Sequence, residues 1–377
     1  MTSSKKKILF VTSTRADYGK IKSLIIKIQK NKKFSSKVFV TGMHNLKLYG
    51  KTIGELKMDK ISGLIVHNNQ NKFSKMDEIL INTIRGFSPI LKKFKPDLVV
   101  IHGDRTEPLA CALSALLNNF NVVHIEGGEV SGTVDEMLRH AISKISHIHL
   151  VSNKTAKKRL VQMGENKNNI FIVGSPDVDM ILGKDLPNLA KVKKRYDITF
   201  NNYAIGILHP ITTNLKNLKR ETKVFISALV KSNLNYILIY PNNDHGSDIV
   251  LNEMKKYINY KKFKIFPSIR FEYYLTLLKH SRFIIGNSSS GIIEAPYYGV
   301  STINLGDRQK NRLQSNLIKN VNFVEKSILK SITFVKNRKI KKRKFFGEGK
   351  SAEKILKLFL SNKIWNISNQ KNFIDII

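Results

Sequence analysis

The chain has 377 residues, a hydrophobic fraction of 42%, a charged fraction of 25% and a formal net charge of +37. That length asks for two domains of ~100–200 residues each, and no apolar run reaches the ~18–20 residues of a membrane span. The lone cysteine, Cys111, excludes an intrachain disulfide and the multi-cysteine zinc frameworks, and fits a reducing cytoplasm.

The first seven residues are polar and basic, and Ile8–Val11 is shorter than the ~7–15 residues of a signal-peptide core. It reads as the first buried strand. Lys7–Thr12, Lys37–Thr41, Leu98–His102, Asn121–Ile125 and His147–Val151 are rich in Val and Ile, as in parallel strands covered on both faces. Helical patterns separate them at Asp17–Lys30, Met76–Lys93, Glu107–Asn118, Val134–Lys144 and Thr155–Met163. The alternation predicts a doubly wound α/β domain over 1–185. A polar stretch, Lys184–Asn202, reads as a linker. The alternation restarts with strands at Tyr203–Leu208, Tyr236–Tyr240, Lys264–Phe266, Phe283–Gly286 and Ser301–Leu305. Helices are expected at Lys219–Lys231, Asp248–Ile258, Phe271–Lys279 and Gly291–Tyr298, giving a second such domain over 200–350. Ser351–Ile377 begins as an amphipathic helix. Two doubly wound domains facing across a cleft suit a ligand with two chemically different ends.

Sheets of this kind bind ligands beyond the carboxyl ends of their strands, so the polar residues there matter most. After the first strand comes Ser13-Thr14-Arg15-Ala16-Asp17-Tyr18-Gly19-Lys20. Arg15, at a strand–helix junction, can clasp phosphate; the alternative is an ordinary Asp17 cap with a surface arginine. His102-Gly103-Asp104-Arg105-Thr106-Glu107 follows a later strand, with Gly103 permitting a tight turn. The next strand ends in His124-Ile125-Glu126-Gly127-Gly128-Glu129 and runs on to Ser131, Asp135, Arg139 and His140. Carboxylates gathered at strand ends suit proton transfer. Taken singly, an Asp is as readily a helix cap and His124 a satisfied core histidine. In the second half, His209-Pro210 precedes Thr212 and Thr213. Gly286-Asn287-Ser288-Ser289-Ser290-Gly291-Ile292-Ile293-Glu294 offers backbone N–H groups and hydroxyls to a phosphate, with Glu294 placed for ribose hydroxyls. It lacks the Gly-Lys-Ser/Thr ending of a Walker loop. Gly306–Arg312 brings Arg308 as a second phosphate clasp, or a solvated basic loop.

The net positive charge admits a polyanion partner. Yet the lysines are spread along the whole chain, and the densest run, Lys339–Lys344, has no helix-turn-helix, zinc-finger or RNA-binding signature around it. We read it as solvated surface charge, with no nucleic-acid and no membrane partner, in a field that favours approach of an anionic small substrate.

Taken in order, these segments resemble the hydrolysing UDP-N-acetylglucosamine 2-epimerases of bacterial sialic acid synthesis. The resemblance includes Thr14-Arg15-Ala16-Asp17-Tyr18, Val40-Thr41-Gly42-Met43-His44, His102-Gly103-Asp104-Arg105, His124 through Thr133, Gly174-Ser175-Pro176-Asp177, Tyr240-Pro241-Asn242-Asn243-Asp244, Phe266 through Tyr273, Gly286-Asn287-Ser288-Ser289, Trp365-Asn366 and Phe373-Ile374-Asp375. It implies the fold of the GT-B glycosyltransferases, an active site between the domains, and a C-terminal helical tail, 351–377, crossing back to the first domain. It implies Asp104, Glu126 and Asp135 as catalytic acids, with His209 beside the diphosphate leaving group. Arg15, Lys20, Arg105, His124, Ser288, Ser289, Glu294 and Arg308 are the expected substrate contacts. The implied reaction eliminates UDP across C1–C2 of the sugar to give a 2-acetamidoglycal, then adds water with the C2 proton on the opposite face. It requires no cofactor and no metal. The family also implies a cytoplasmic homodimer or homotetramer.

Gly103-Asp104-Arg105-Thr106 and the Glu126-Gly127-Gly128-Glu129 strand end differ from the Gly-Asp-Thr-Thr and His-Val-Glu-Ala-Gly patterns of the non-hydrolysing branch. Three alternatives remain open at this point: a hydrolysing epimerase acting on UDP-2,4-diacetamido-2,4,6-trideoxyglucose or a GDP-linked analogue, a glycosyltransferase of the same fold, and a nucleic-acid binder.

Overall fold

A computed structural model of the chain describes residues 4–71, 74–184, 186–309, 311–313, 315–338 and 340–375. The first unit is built on seven parallel strands: β1 (Lys6–Thr12), β2 (Phe34–Val40), β3 (Leu64–Val66), β4 (Leu98–His102), β5 (Asn121–Ile125), β6 (Ile148–Val151) and β7 (Ile170–Ile172). Their order across the sheet is β3-β2-β1-β4-β5-β6-β7. Consecutive residues of β1 point to opposite faces, and both faces are covered. Ile8 and Phe10 pack with Ile21, Leu24 and Ile25 of the helix Arg15–Gln29. Leu9 and Val11 pack with Phe87 and Leu91 of Met76–Phe94 and with Cys111, Ala112 and Ala115 of Thr106–Leu117. This double burial explains why these strands read as unbroken apolar runs, each fully buried Ile, Leu or Val contributing roughly 1.5–3 kcal/mol.

The first unit also contains the end of the chain, from Phe346. The helix Ser351–Leu360 lays Ala352, Ile355 and Phe359 on the same core as Ile21 and Leu24. Its free N-terminal N–H groups are taken by Asp179: Ser351 N and Oγ donate to Oδ1 at 2.8 Å each, and Ala352 N to Oδ2 at 2.7 Å. Further on, the Trp365 indole N–H donates to the Phe359 carbonyl at 2.8 Å.

The second unit holds Lys184–Phe345 together with the short segment Val130–Val134. Its six parallel strands are β8 (Ala204–Ile207), β9 (Tyr236–Ile239), β10 (Phe263–Phe266), β11 (Phe283–Gly286), β12 (Ser301–Leu305) and β13 (Ile318–Val321), in the order β10-β9-β8-β11-β12-β13. One face buries Leu238, Ile285 and Ile303 against Phe225 and Leu229 of Leu218–Lys231 and Ile328 and Ile332 of Glu325–Val335. Both sheets reverse strand order once, between β1 and β4 and between β8 and β11, and ligands of doubly wound sheets bind beside that reversal.

Two local expectations are corrected. The stretch read as a linker carries the helix Leu189–Arg195, capped by Asn188, whose side chain accepts from Lys191 N at 2.8 Å. Val192, Ile198 and Phe200 are buried, and Thr276 Oγ1 donates to the Pro187 carbonyl at 2.7 Å. The expected helix Gly291–Tyr298 is two four-residue pieces, Ser290–Ile293 and Ala295–Tyr298. Pro296 has no N–H to give and its ring crowds the carbonyl four residues back, so the helix breaks at Glu294. Of the basic run Lys339–Lys344, Lys339 lies outside the described residues, as does Lys310 of the Gly306–Arg312 loop; residues 341–344 are exposed. Among the described residues no helix is long and apolar enough to cross a membrane.

Candidate active site

The turn after β1 is organised by Asp17. Its carboxylate accepts from Ser13 N, Ser13 Oγ and Thr14 N at 2.9 Å each and from Thr12 Oγ1 at 2.7 Å, while Thr14 Oγ1 caps Asp17 N at 3.1 Å. Burial pushes this carboxyl up, but His44 and the donors from Ser13, Thr12 and Thr14 hold it below its usual value. Since Thr12 donates to Asp17, its oxygen accepts from His44 Nε2 at 3.0 Å, and His44 Nδ1 then accepts from Thr52 at 2.7 Å. Burial, aided by Arg15 and opposed by Asp17, holds His44 down to about 4, so it is neutral. The cap reading of Asp17 is therefore right, but Arg15 is no loose surface residue. Its guanidinium pairs with Glu55 at 2.5 Å and its side chain is only 16% exposed.

At the end of β4, Gly103 sits at φ +82°, a conformation that favours glycine, and turns the chain so that Asp104 follows. Asp104 pairs with Arg139 Nη2, while Arg139 Nη1 donates to the Glu129 carbonyl at 3.2 Å. Arg139 has no exposed surface. Burial opposes its charge, but Asp104, Glu126, Glu129 and Asp135 together fix it as a cation. Asp135, in the first turn of Val134–Ile145, lies within electrostatic range of this cation, as does Glu126. Arg105 precedes the helix Thr106–Leu117 and lies 3.5 Å from the buried Glu107 carboxylate.

Glu126 follows β5 with φ +75°, a strain of roughly 1–2 kcal/mol for a residue with a Cβ. From this turn its carboxylate lies between His102 Nε2, 3.1 Å away, and Lys20 Nζ, 3.7 Å away; Lys20 in turn lies 3.0 Å from Asp177. His124 is different. It is fully buried, Nε2 donating to the Gly103 carbonyl at 2.8 Å and Nδ1 accepting from Ser143 Oγ at 3.0 Å. Burial drives it down to about 3, so the ring is neutral. With no surface to offer a ligand, His124 holds the Gly103 turn in place. Expected as a substrate contact, it is better described by the core-histidine reading.

In the second unit, His209 follows β8 and the Gly286–Ser290 turn follows β11. Gly286 has φ +133°, and a Cβ there would stand 1.8 Å from the Ile207 carbonyl oxygen; only glycine lets the two strand ends come this close. Asn287, fully buried, clamps them. Its Oδ1 accepts from His209 N at 2.7 Å, and its Nδ2 donates to His209 O at 2.9 Å. His209 Nδ1 accepts from Asn242 N at 3.2 Å, which leaves Nε2 as the protonated nitrogen of the neutral ring. Arg308 is buried and donates to the Asn287 carbonyl at 3.2 Å. Ser288 and Ser289 are half-buried, and Ser288 Oγ accepts from Ser290 N at 3.3 Å. Glu294 is buried beside Tyr274 and Tyr298, whose hydroxyls are pushed up by burial and then by that carboxylate. Within each unit the expected residues therefore gather at the strand ends, apart from the interior His124.

Sequence reasoning passed over Arg139, His102, Asp177 and Asn287 as site residues. All four stood in quoted motifs, but burial and partnership are tertiary facts. The only sequence signal for Arg139 was its spacing, one helical turn after Asp135, which puts both on one helix face.

A family profile described as UDP-N-acetylglucosamine 2-epimerase matches residues 26–360. A Neisseria meningitidis serogroup B protein named UDP-N-acetylglucosamine 2-epimerase is 44% identical over 98% of this chain and 99% of its own length. A Legionella pneumophila protein named UDP-N,N'-diacetylbacillosamine 2-epimerase (hydrolyzing) is 35% identical over 94% of this chain and 95% of its own. The fold matches the Methanocaldococcus jannaschii UDP-GlcNAc 2-epimerase, crystallised with UDP-GlcNAc and UDP, at a TM-score of 0.80 and 23% identity over 94% of this chain and 99% of that one. With the family profile and these relatives in agreement, the chain belongs to the UDP-N-acetylglucosamine 2-epimerase family.

Proposed function

We propose that this enzyme is the hydrolysing kind of 2-epimerase, converting UDP-N-acetylglucosamine and water into N-acetylmannosamine and UDP for sialic acid synthesis. The observation that carries the reading is the group after β4 and β5: Asp104 paired with a buried guanidinium that Asp135 also reaches electrostatically, and Glu126, at positive φ, between His102 and Lys20. Epimerising C2 needs one group to take its proton and another to return a proton on the opposite face. In this reading Asp104, Glu126 and Asp135 supply those carboxylates. Loss of the C2 proton and cleavage of the C1–O bond release UDP and leave the 2-acetamidoglycal; water then adds its oxygen at C1 while C2 regains a proton.

In the second unit this reading gives Arg308, Ser288 and Ser289 to the diphosphate and Glu294 to the ribose hydroxyls; in the first it gives Arg15 to phosphate charge and Lys20 and Arg105 to the charge near the sugar. His209 carries a proton on Nε2, as a donor to the leaving diphosphate must. The Ser290–Ile293 helix is too short for a macrodipole to count, so the anion is met by hydroxyls, single N–H groups and arginines. The enzyme on this reading is cytoplasmic and homo-oligomeric, and the single, buried Cys111 is compatible with a reducing compartment.

A second reading, favoured by the Legionella relative, keeps the chemistry and changes the sugar to UDP-linked N,N'-diacetylbacillosamine. Incubating the purified protein with each UDP-sugar and separating the products decides: N-acetylmannosamine with UDP supports the first reading, turnover of the diacetamido sugar alone supports the second, and turnover of neither contradicts both.

A further inference from the structure

Asp177 has a place in no step above, yet it is the least economical carboxylate of the first unit. It has no exposed surface, and neither oxygen accepts a well-aligned hydrogen bond. Lys20 Nζ, 3.0 Å from Oδ2, is the cation beside it. Isolating a carboxylate in this way is costly before the ion pair returns part of it, and an apolar pair of similar volume would serve packing as well. The position is nevertheless firmly set. Pro176 opens the helix Pro176–Ile181 with its φ already helical, and Ser175 N is tied to the Phe346 carbonyl at 2.7 Å.

The Lys20 ammonium is shared unequally. It is close to Asp177 and 3.7 Å from Glu126 Oε2, the oxygen that also meets His102 Nε2 at 3.1 Å. A lysine on a flexible stem that faced Glu126 alone would close to full contact and occupy the carboxylate. We propose that Asp177 is a positioning residue that holds the Lys20 ammonium back from Glu126 and so preserves the basicity that proton transfer asks of that carboxylate. The proposal rests on Glu126 belonging to the catalytic set.

The groups facing Glu126 include Lys20 from the first helix, His102 from β4 and, within electrostatic range, Arg139 from Val134–Ile145. Asp177→Asn removes the counter-pull, and the ammonium advances on Glu126. A nearer cation favours the ionised carboxylate. The acid limb of kcat against pH therefore moves to lower pH, by about one unit, and plateau kcat falls ~10- to 100-fold as the base weakens. KM is not the diagnostic readout, because Asp177 pairs with Lys20, itself assigned to the substrate; the shift of the pH profile together with the fall in kcat is. Asp177→Glu keeps the charge and retains kcat within about threefold. It decides alone if Asp177→Asn does not fold, because a tenfold loss in Asp177→Glu rejects the charge-based role.

A lower melting temperature with unchanged kcat and pH profile in Asp177→Asn overturns the proposal and leaves Asp177 a structural ion-pair partner. Wild-type turnover, measured alongside, separates the two levels. An inactive wild type defeats the functional reading; the positioning role is then read from the Glu126 carboxyl resonance by 13C NMR. That resonance must titrate at lower pH in Asp177→Asn, and an unmoved titration refutes the role.

Discussion

A carboxylate held by a buried arginine is a group whose position is fixed before substrate arrives. Asp104, against the fully buried Arg139, is in that state. Asp104→Asn keeps the shape and removes the charge, so UDP affinity measured by calorimetry is expected to be unchanged while turnover falls ~10²- to 10⁴-fold. Turnover near wild type would remove Asp104 from the catalytic set. His124 makes a separate, acid-side prediction. Its folded value of about 3 lies well below the 6.5 of a free histidine, so between those values the unfolded chain binds a proton that the folded chain does not. Its contribution is complete above pH 6.5 and is lost at ~1.4 kcal/mol per unit as pH falls toward 3. The stability difference between wild type and His124→Phe, from urea unfolding at pH 7 and pH 5.5, is expected to shrink by about 1.4 kcal/mol; a difference independent of pH would show that His124 titrates normally. The places of Asp104 and Glu126 were legible because strand-end position is visible in sequence. The interior place of His124 was not, since a histidine one residue before a strand's end faces inward or outward according to a pleat the sequence does not print.

Elements were legible in proportion to their length and burial. β1, β4 and β5 are buried on both faces and announced themselves as apolar runs. β3 and β7 are three-residue edge strands, and β13 is a half-exposed edge strand; none offers the four to eight patterned residues a strand assignment needs. The helix Leu189–Arg195 was hidden because only Val192 along it is buried, so no apolar stripe formed. The break at Glu294 is written in the sequence as Pro296. The docking of the final helix turns on Asp179, which supplies acceptors to its first N–H groups. Asp179→Ala strips those partners, at a cost of about 0.5–2 kcal/mol by analogy with lost caps. Under limited trypsinolysis the variant is expected to be cut early at Lys354 and Lys357, with the fragments identified by mass spectrometry. Cleavage no faster than wild type would mean that the apolar face of Ala352, Ile355 and Phe359 holds the helix without its cap.

For the whole molecule, two doubly wound units follow from the regular alternation of strand and helix patterns, and the single reversal of strand order in each sheet explains where the polar residues collect. The charge of +37 contributes nothing to that architecture; its effect is on encounter with an anionic substrate, screened over about 8 Å at physiological salt. The central claim is chemical: the proton on C2 leaves the sugar and is replaced from solvent as UDP departs. Proton NMR of the purified protein with UDP-N-acetylglucosamine in D₂O follows both events in one tube. The account predicts UDP together with N-acetylmannosamine carrying deuterium at C2. N-acetylmannosamine that retains the original C2 proton, or N-acetylglucosamine released without inversion, would contradict it.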